Sequence, residues 1–167
     1  SWLYEVSMGA TTVWERWNSV LPDGGISDTG MNSLNHYAYG AVLEWMYRYM
    51  GGLNPDEAHA GFKKFSIKPE PDNRFSRVSL SFDSPYGIIE SKWERTPQGI
   101  RFDVTVPFDT EAEFIVPAVL RGNEIRILQA PFAGAAAEGE LQPEAACEIT
   151  DGKLRLEAGR CSILIKE

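Results

Sequence analysis

The chain has 167 residues, a formal net charge of −8 and an acidic pI near 4.8. That length can bury the core of one ordinary domain, or of a small domain and part of another, without metal or disulfide staples. The charge argues against nucleic acid or an anionic membrane as partner, since both would repel it, and leaves room for a neutral ligand such as a sugar.

The N-terminal residues Ser1 to Glu5 have neither the basic start nor the apolar run of a signal peptide, and no stretch reaches the ~18 consecutive apolar residues of a membrane span. The compartment stays unread. Residues 8–30, rich in Gly, Thr, Ser and Asp, predict a long irregular loop, and loops of that length inside compact domains are usually functional. Apolar residues then recur at Leu34, Tyr37, Ala38, Ala41, Val42, Trp45, Met46 and Tyr49, the rhythm of an amphipathic helix. Asn32 or Ser33 is expected to cap its start, and Gly51 to occupy its C′ position. The opposite face is also mostly apolar, with only Glu44 and Arg48 charged. Such a helix belongs inside something larger than this chain, or associates with a second copy into a homodimer.

The segment from Gly51 to Asp56 carries the Gly and Pro signals that end helices, and the aromatic residues change type just after it. Four of the five Trp and five of the six Tyr precede Gly61, whereas all eight Phe follow it. Two cores are implied, residues 1–61 and residues 62–167, with a connector over 53–61. The second part alternates: Val78, Leu80 and Phe82; Ile89 and Trp93; Ile100, Phe102, Val104 and Val106; Phe114 and Val116. Asp151-Gly152, between short alternating runs, signals a two-residue hairpin turn, and a last strand runs from Cys161 to Lys166. Short strands with no intervening helices predict an antiparallel β-sandwich, and the whole chain reads as α+β. Cys147 and Cys161 could bridge across strands or stay reduced; buried, reduced thiols are the reading adopted.

The densest chemistry lies at Gly9-Ala10-Thr11-Thr12-Val13-Trp14-Glu15-Arg16-Trp17, a carboxylate between two indoles beside a guanidinium. Aromatic faces pack on the C–H face of a pyranose and a carboxylate activates water, so this is sugar-site chemistry. A buried Glu15–Arg16 pair framed by core tryptophans is the structural alternative. His36, in Asn35-His36-Tyr37-Ala38-Tyr39-Gly40, is on residue type alone a structural histidine. The chain offers no His/Cys/Asp/Glu cluster at metal spacing, and no phosphate loop, dinucleotide fingerprint or serine-hydrolase elbow.

These motifs, with Met31-Asn32-Ser33-Leu34 before them and Trp45 to Tyr49 after, resemble the final stretch of the catalytic domain of bacterial α-L-rhamnosidases. Gly61-Phe62-Lys63-Lys64 and Ser84-Pro85-Tyr86-Gly87 match the segment downstream of that domain in the family, and the likeness spans residues 8–96. It implies the end of an (α/α)6 barrel followed by a C-terminal β-sandwich. It further implies that Glu15 is the general base of an inverting hydrolysis of terminal α-L-rhamnosides, in plant glycosides or polysaccharides, and that His36 contacts the rhamnose; Trp17 is expected as a wall of the site from its residue type beside the carboxylate. No cofactor or metal is implied by two-carboxylate chemistry. The partner acid lies upstream in the family, so the fragment alone is expected to be inactive. The alternative function is a non-catalytic carbohydrate-binding or structural sandwich, which exposed aromatic residues on the strands would favour.

Overall fold

A computed structural model describes residues 1–28, 30–131, 142–143 and 149–167, with side chains through residue 128 and again from 149. The chain divides into two compact units, Ser1–Trp45 and Met46–Glu167.

The first unit has little regular structure. Helix α1 (Trp2–Ser7) is followed by irregular chain with one isolated bridge, Val20 to Ile26, as the Gly/Ser/Asp content of residues 8–30 predicts. The continuous helix expected from Leu34 to Tyr49 does not form. A 3-10 turn (Ala38–Ala41) leads into a single α-turn, α2 (Val42–Trp45), and the next residues, Met46–Met50, are wound as a π-helix. Neither Asn32 nor Ser33 caps it; the residue before the first turn is Tyr37, and no side chain caps there. The apolar periodicity belongs to a segment whose start is claimed instead by hydrogen bonds to residues 12–15. The apolar residues are also exposed: Leu43 at 57% and Trp45 at 46%.

The second unit begins at that π-turn, which Gly51 N–H closes onto the Met46 carbonyl at 3.0 Å. Gly51 was expected at a left-handed C′ position, but the left-handed residue is Gly52, at φ 80°. Both glycines are required by close approach. A Cβ on Gly51 would lie 2.4 Å from Leu80 Cδ1, and one on Gly52 would lie 2.2 Å from the Pro69 nitrogen. The Trp93 indole N–H and the Ser91 hydroxyl then donate to the Met50 and Gly51 carbonyls at 2.8 and 2.6 Å.

Among the described residues ten strands make two sheets. Strands β1 (Leu53–Pro55), β2 (Lys64–Ile67), β6 (Glu111–Ile115) and β9 (Lys153–Leu156) form one, in the order β1-β2-β6-β9. The other runs β3 (Arg77–Ser84), β4 (Gly87–Thr96), β5 (Gly99–Val106), β10 (Gly159–Ile165), β7 (Ile125–Pro131), β8 (Gln142–Pro143). Among the described residues every pairing is antiparallel except β2 with β6, which run parallel from Lys64 opposite Glu111 to Ile67 opposite Phe114. The expected connector thus supplies β1, whose Leu53 is 3% exposed.

Period-2 patterning puts one face of each sheet into a shared core. Phe65 and Ile67, Phe114, and Leu154 and Leu156 come from the first sheet; Ile89, Trp93, Phe102 and Ile163 come from the second. The rings of Phe102 and Phe114 meet edge to face at 5.2 Å, joining the two sheets. Asp151 and Gly152 both have positive φ, 52° and 73°, and Thr150 and Lys153 exchange hydrogen bonds across them, the primed turn expected of Asp-Gly. Cys161 is buried in β10, while Cys147 lies outside the described residues, as does Glu148 in the strand expected before the turn.

Candidate active site

The Glu15 motif sits on the irregular chain of the first unit, and main-chain bonds draw the His36 motif alongside it. Glu15 N–H donates to the Ser33 carbonyl at 2.9 Å, and His36 N–H donates to the Val13 carbonyl at 2.7 Å. Thr12 Oγ1 donates to the Leu34 carbonyl at 2.5 Å. Residues 12–15 therefore run beside residues 33–36. The two candidate site residues, Glu15 and His36, are each partly exposed on these adjoining segments.

The Glu15 carboxylate is held by one oxygen. Its Oε2 accepts the Ser33 N–H at 2.7 Å, a short bond to a charged acceptor, and Oε1 makes no hydrogen bond among the described residues. The Glu15–Arg16 ion pair that the structural alternative required is absent among the described residues. Arg16 Nε donates instead to the Met31 carbonyl at 2.8 Å, and Arg16 N–H to Ser19 Oγ at 3.2 Å. The guanidinium braces the loop and leaves the carboxylate without a cationic partner.

The two indoles that flank Glu15 part company. Trp14 is 4% exposed, edge-on to Tyr4 at 6.5 Å, so it is core. Trp17 is partly exposed and stacks on Tyr39, with centroids 4.1 Å apart and planes 9° apart; Trp2 meets it edge-on at 5.3 Å. Trp17, Tyr39 and Trp2 thus form one aromatic cluster. Neither Tyr39 nor Trp2 was named as part of it from the sequence, though Tyr39 stood in the His36 motif. His36 uses Nδ1 as acceptor for the Ala38 N–H at 3.4 Å, which leaves Nε2 without a hydrogen bond among the described residues, and its ring lies parallel to that of Tyr37.

The downstream motifs have a different job. Lys63 Nζ lies 5.2 Å from the Tyr86 ring centroid and 2.7 Å from Asp109 Oδ1, and Gly61 abuts Pro85, so the two matched motifs pin the β3–β4 and β5–β6 turns. Trp93 is 2% exposed, as its shared face with Ile89 implies. Phe75, Tyr86 and Phe108 are exposed in this unit, but no ring contact joins any two of them into a platform. Among the described residues no group of three or more potential ligands is placed to hold a metal, and no helix is long and apolar enough to cross a membrane.

Residues 1–50 match the family model of the bacterial alpha-L-rhamnosidase six-hairpin glycosidase domain, and residues 52–124 that of the bacterial alpha-L-rhamnosidase C-terminal domain. The chain belongs to the bacterial α-L-rhamnosidase family. It is 44% identical over 117 residues to an α-L-rhamnosidase of Formosa agariphila, and 44% identical over 118 residues to one of an Alteromonas species. These alignments cover 70 and 71% of this chain but only 12 and 13% of the relatives, so the chain spans about an eighth of their length. The crystal structure of Streptomyces avermitilis α-L-rhamnosidase complexed with L-rhamnose superposes with a TM-score of 0.67 at 32% identity, covering 99% of this chain and 15% of that one. With few helices and two largely antiparallel sheets, the chain fits the expected α+β class, the class of structural neighbours that are rhamnosidases with a helical barrel and a β-domain.

Proposed function

We propose that this rhamnosidase chain contributes the general base of an inverting hydrolysis of terminal α-L-rhamnosides. What carries the reading is Glu15: a carboxylate that, among the described residues, is fastened by Oε2 alone with Oε1 unbonded, on a segment that runs beside His36. In the proposed step Glu15 takes a proton from water as the water oxygen bonds to the anomeric carbon. The glycosidic C–O bond breaks on the opposite face, and the departing oxygen takes its proton from a second carboxyl, at the ~6.5–9.5 Å separation that inverting enzymes leave for the water. His36 contacts the sugar hydroxyls and Trp17, backed by Tyr39, packs against the sugar's apolar face. On this reading the segment before the connector, residues 1–52, serves catalysis, and the sandwich, which takes β1 from the connector, is a scaffold.

Within an enzyme that carries this segment in a complete catalytic domain, Glu15→Gln should lower kcat by ~10²–10⁴-fold on an aryl α-L-rhamnoside with little change in KM. The isolated chain should show no turnover above its own Glu15→Gln control, since one carboxylate supplies half of the acid–base pair. Unchanged kcat in the first case, with an unchanged melting temperature, would remove Glu15 from the chemistry. Apolar side chains exposed on the first unit, Leu34 at 38%, Val42 at 42% and Leu43 at 57%, support self-association of the isolated chain. Sedimentation that returns a monomer at every micromolar concentration would refute that.

A further inference from the structure

Periodicity assigns Asn32 and Ser33 to a helix start, and the structure gives both another task. Ser33 donates its N–H to Glu15 Oε2 and accepts the Glu15 N–H in return, a reciprocal pair across the base. Ser33 is held in turn by the residue before it. Asn32 Nδ2 donates to the Ser19 carbonyl at 3.3 Å and to the Ser27 carbonyl at 3.1 Å. Those carbonyls belong to a closed loop: Ser27 N–H donates to Ser19 at 2.9 Å, Val20 bridges Ile26, and both serines are buried. The same loop is tied to the base from the other side, because Ser19 N–H donates to the Arg16 carbonyl at 3.1 Å. Residues 15–16 and 32–33 are therefore cross-braced through one small loop.

We infer that Asn32 is a positioning residue for the base, acting through Ser33; this rests on reading Glu15 as that base. The terminal torsion of a glutamate is broad and weakly restrained, so a carboxylate with two free oxygens swings about its axis. One N–H on Oε2 fixes the plane and leaves Oε1 as the oxygen that receives the proton from water. The N–H does this while the 31–36 segment holds its place; the Glu15, His36, Thr12 and Arg16 bonds tie that segment to residues 12–16, and among the described residues Asn32 alone ties it to the 19–27 loop. Misplacing a reacting group by about 1 Å costs on the order of 10²-fold in rate, which sets the scale of the effect.

The test uses an enzyme carrying this segment in a complete catalytic domain. Asn32→Ala and the isosteric Asn32→Asp, neither of which can donate to the two carbonyls, should lower kcat by ~10–100-fold while KM stays within about twofold. Replacing the Ser33 amide by an ester removes only the N–H that reaches Oε2 and should give the same split; it decides the matter if the Asn32 variants do not fold. If these variants keep kcat within about twofold while Glu15→Gln is inactive, the positioning role is wrong and the base assignment stands. If Glu15→Gln is itself as active as the wild type, the base assignment falls. Activity that simply tracks the folded fraction, measured by near-ultraviolet circular dichroism, would make Asn32 a structural anchor and overturn the inference.

Discussion

The two units of this chain are held together by different physics. In the second, Met46–Glu167, the hydrophobic core cluster is assembled mainly from alternating positions of two sheets, with Val116 and Leu120 added from the chain after β6. In the first, Ser1–Trp45, Trp14 is the single large apolar side chain buried among the described residues, and the chain is fastened by side chains bonding to main-chain carbonyls. Tyr4 reaches the Val20 carbonyl at 2.7 Å, Arg16 that of Met31, and Asn32 those of Ser19 and Ser27. Buried Glu5 and partly buried Asn32 even keep an acceptor oxygen with no donor among the described residues. Apolar packing makes a scaffold that tolerates change at its surface. A network of directional bonds holds a few groups in defined places at the cost of intrinsic stability, which is what a catalytic carboxylate needs.

The sharpest test of that contrast is a pair of identical truncations within the second unit. Phe102 is 1% exposed and Phe108 is 76% exposed. Phe102→Ala should destabilise by ~3–5 kcal/mol, because it deletes the ring that joins the sheets at Phe114 and leaves a cavity. Phe108→Ala should stay within ~0.5 kcal/mol. Chemical denaturation of both would compare them; similar midpoints would mean that the sandwich core does not carry the stability of this unit.

How much was legible in the sequence divides along the same line. Strand alternation at Leu80, Ile89, Trp93, Phe102, Val104 and Phe114 pointed these residues inward because a period of two survives any tertiary arrangement, and Asp151-Gly152 set its own turn through local backbone preference. The parallel pairing of β2 with β6 was not readable, since alternation says nothing about which strand lies alongside or in which direction. The helix over Leu34 to Tyr49 was misread for a related reason: residues 33–36 are bonded to residues 12–15, and that long-range pairing outcompetes local periodicity. Of the proposed site residues, Glu15 and His36 were picked out by a motif resemblance and Trp17 by its residue type beside a carboxylate. Asn32 and Ser33 were not, because a main-chain N–H carries no residue signature and an asparagine before a helical pattern looks like a cap.

The smallest effect expected is electrostatic, and it belongs to the second unit, where the carboxylates held low are Asp56, Asp72, Glu90, Glu111 and Glu124. Asp72 shows the cause most clearly. Arg74 grips both its oxygens, Nε to Oδ1 at 2.8 Å and Nη2 to Oδ2 at 2.9 Å, and the Arg74 main-chain N–H adds a third bond at 2.8 Å. The side-chain bond is the larger influence and the main-chain bond the next, and together they bring the carboxyl from 3.8 to about 2. A folded value below the unfolded one means that the stabilisation is complete above pH ~4 and fades as pH falls toward ~2. The pair lies at the surface, Arg74 largely and Asp72 partly exposed, so salt screens it and the melting temperature at neutral pH should scarcely move when it is broken. The carboxyl's own titration is the informative readout. In Arg74→Ala, the midpoint followed by carboxyl carbon chemical shift should rise from about 2 toward, but not to, 3.8, because the main-chain N–H still donates. A midpoint that stays near 2 would assign the whole shift to the backbone turn, and one that reaches 3.8 would show that the turn itself depends on the arginine.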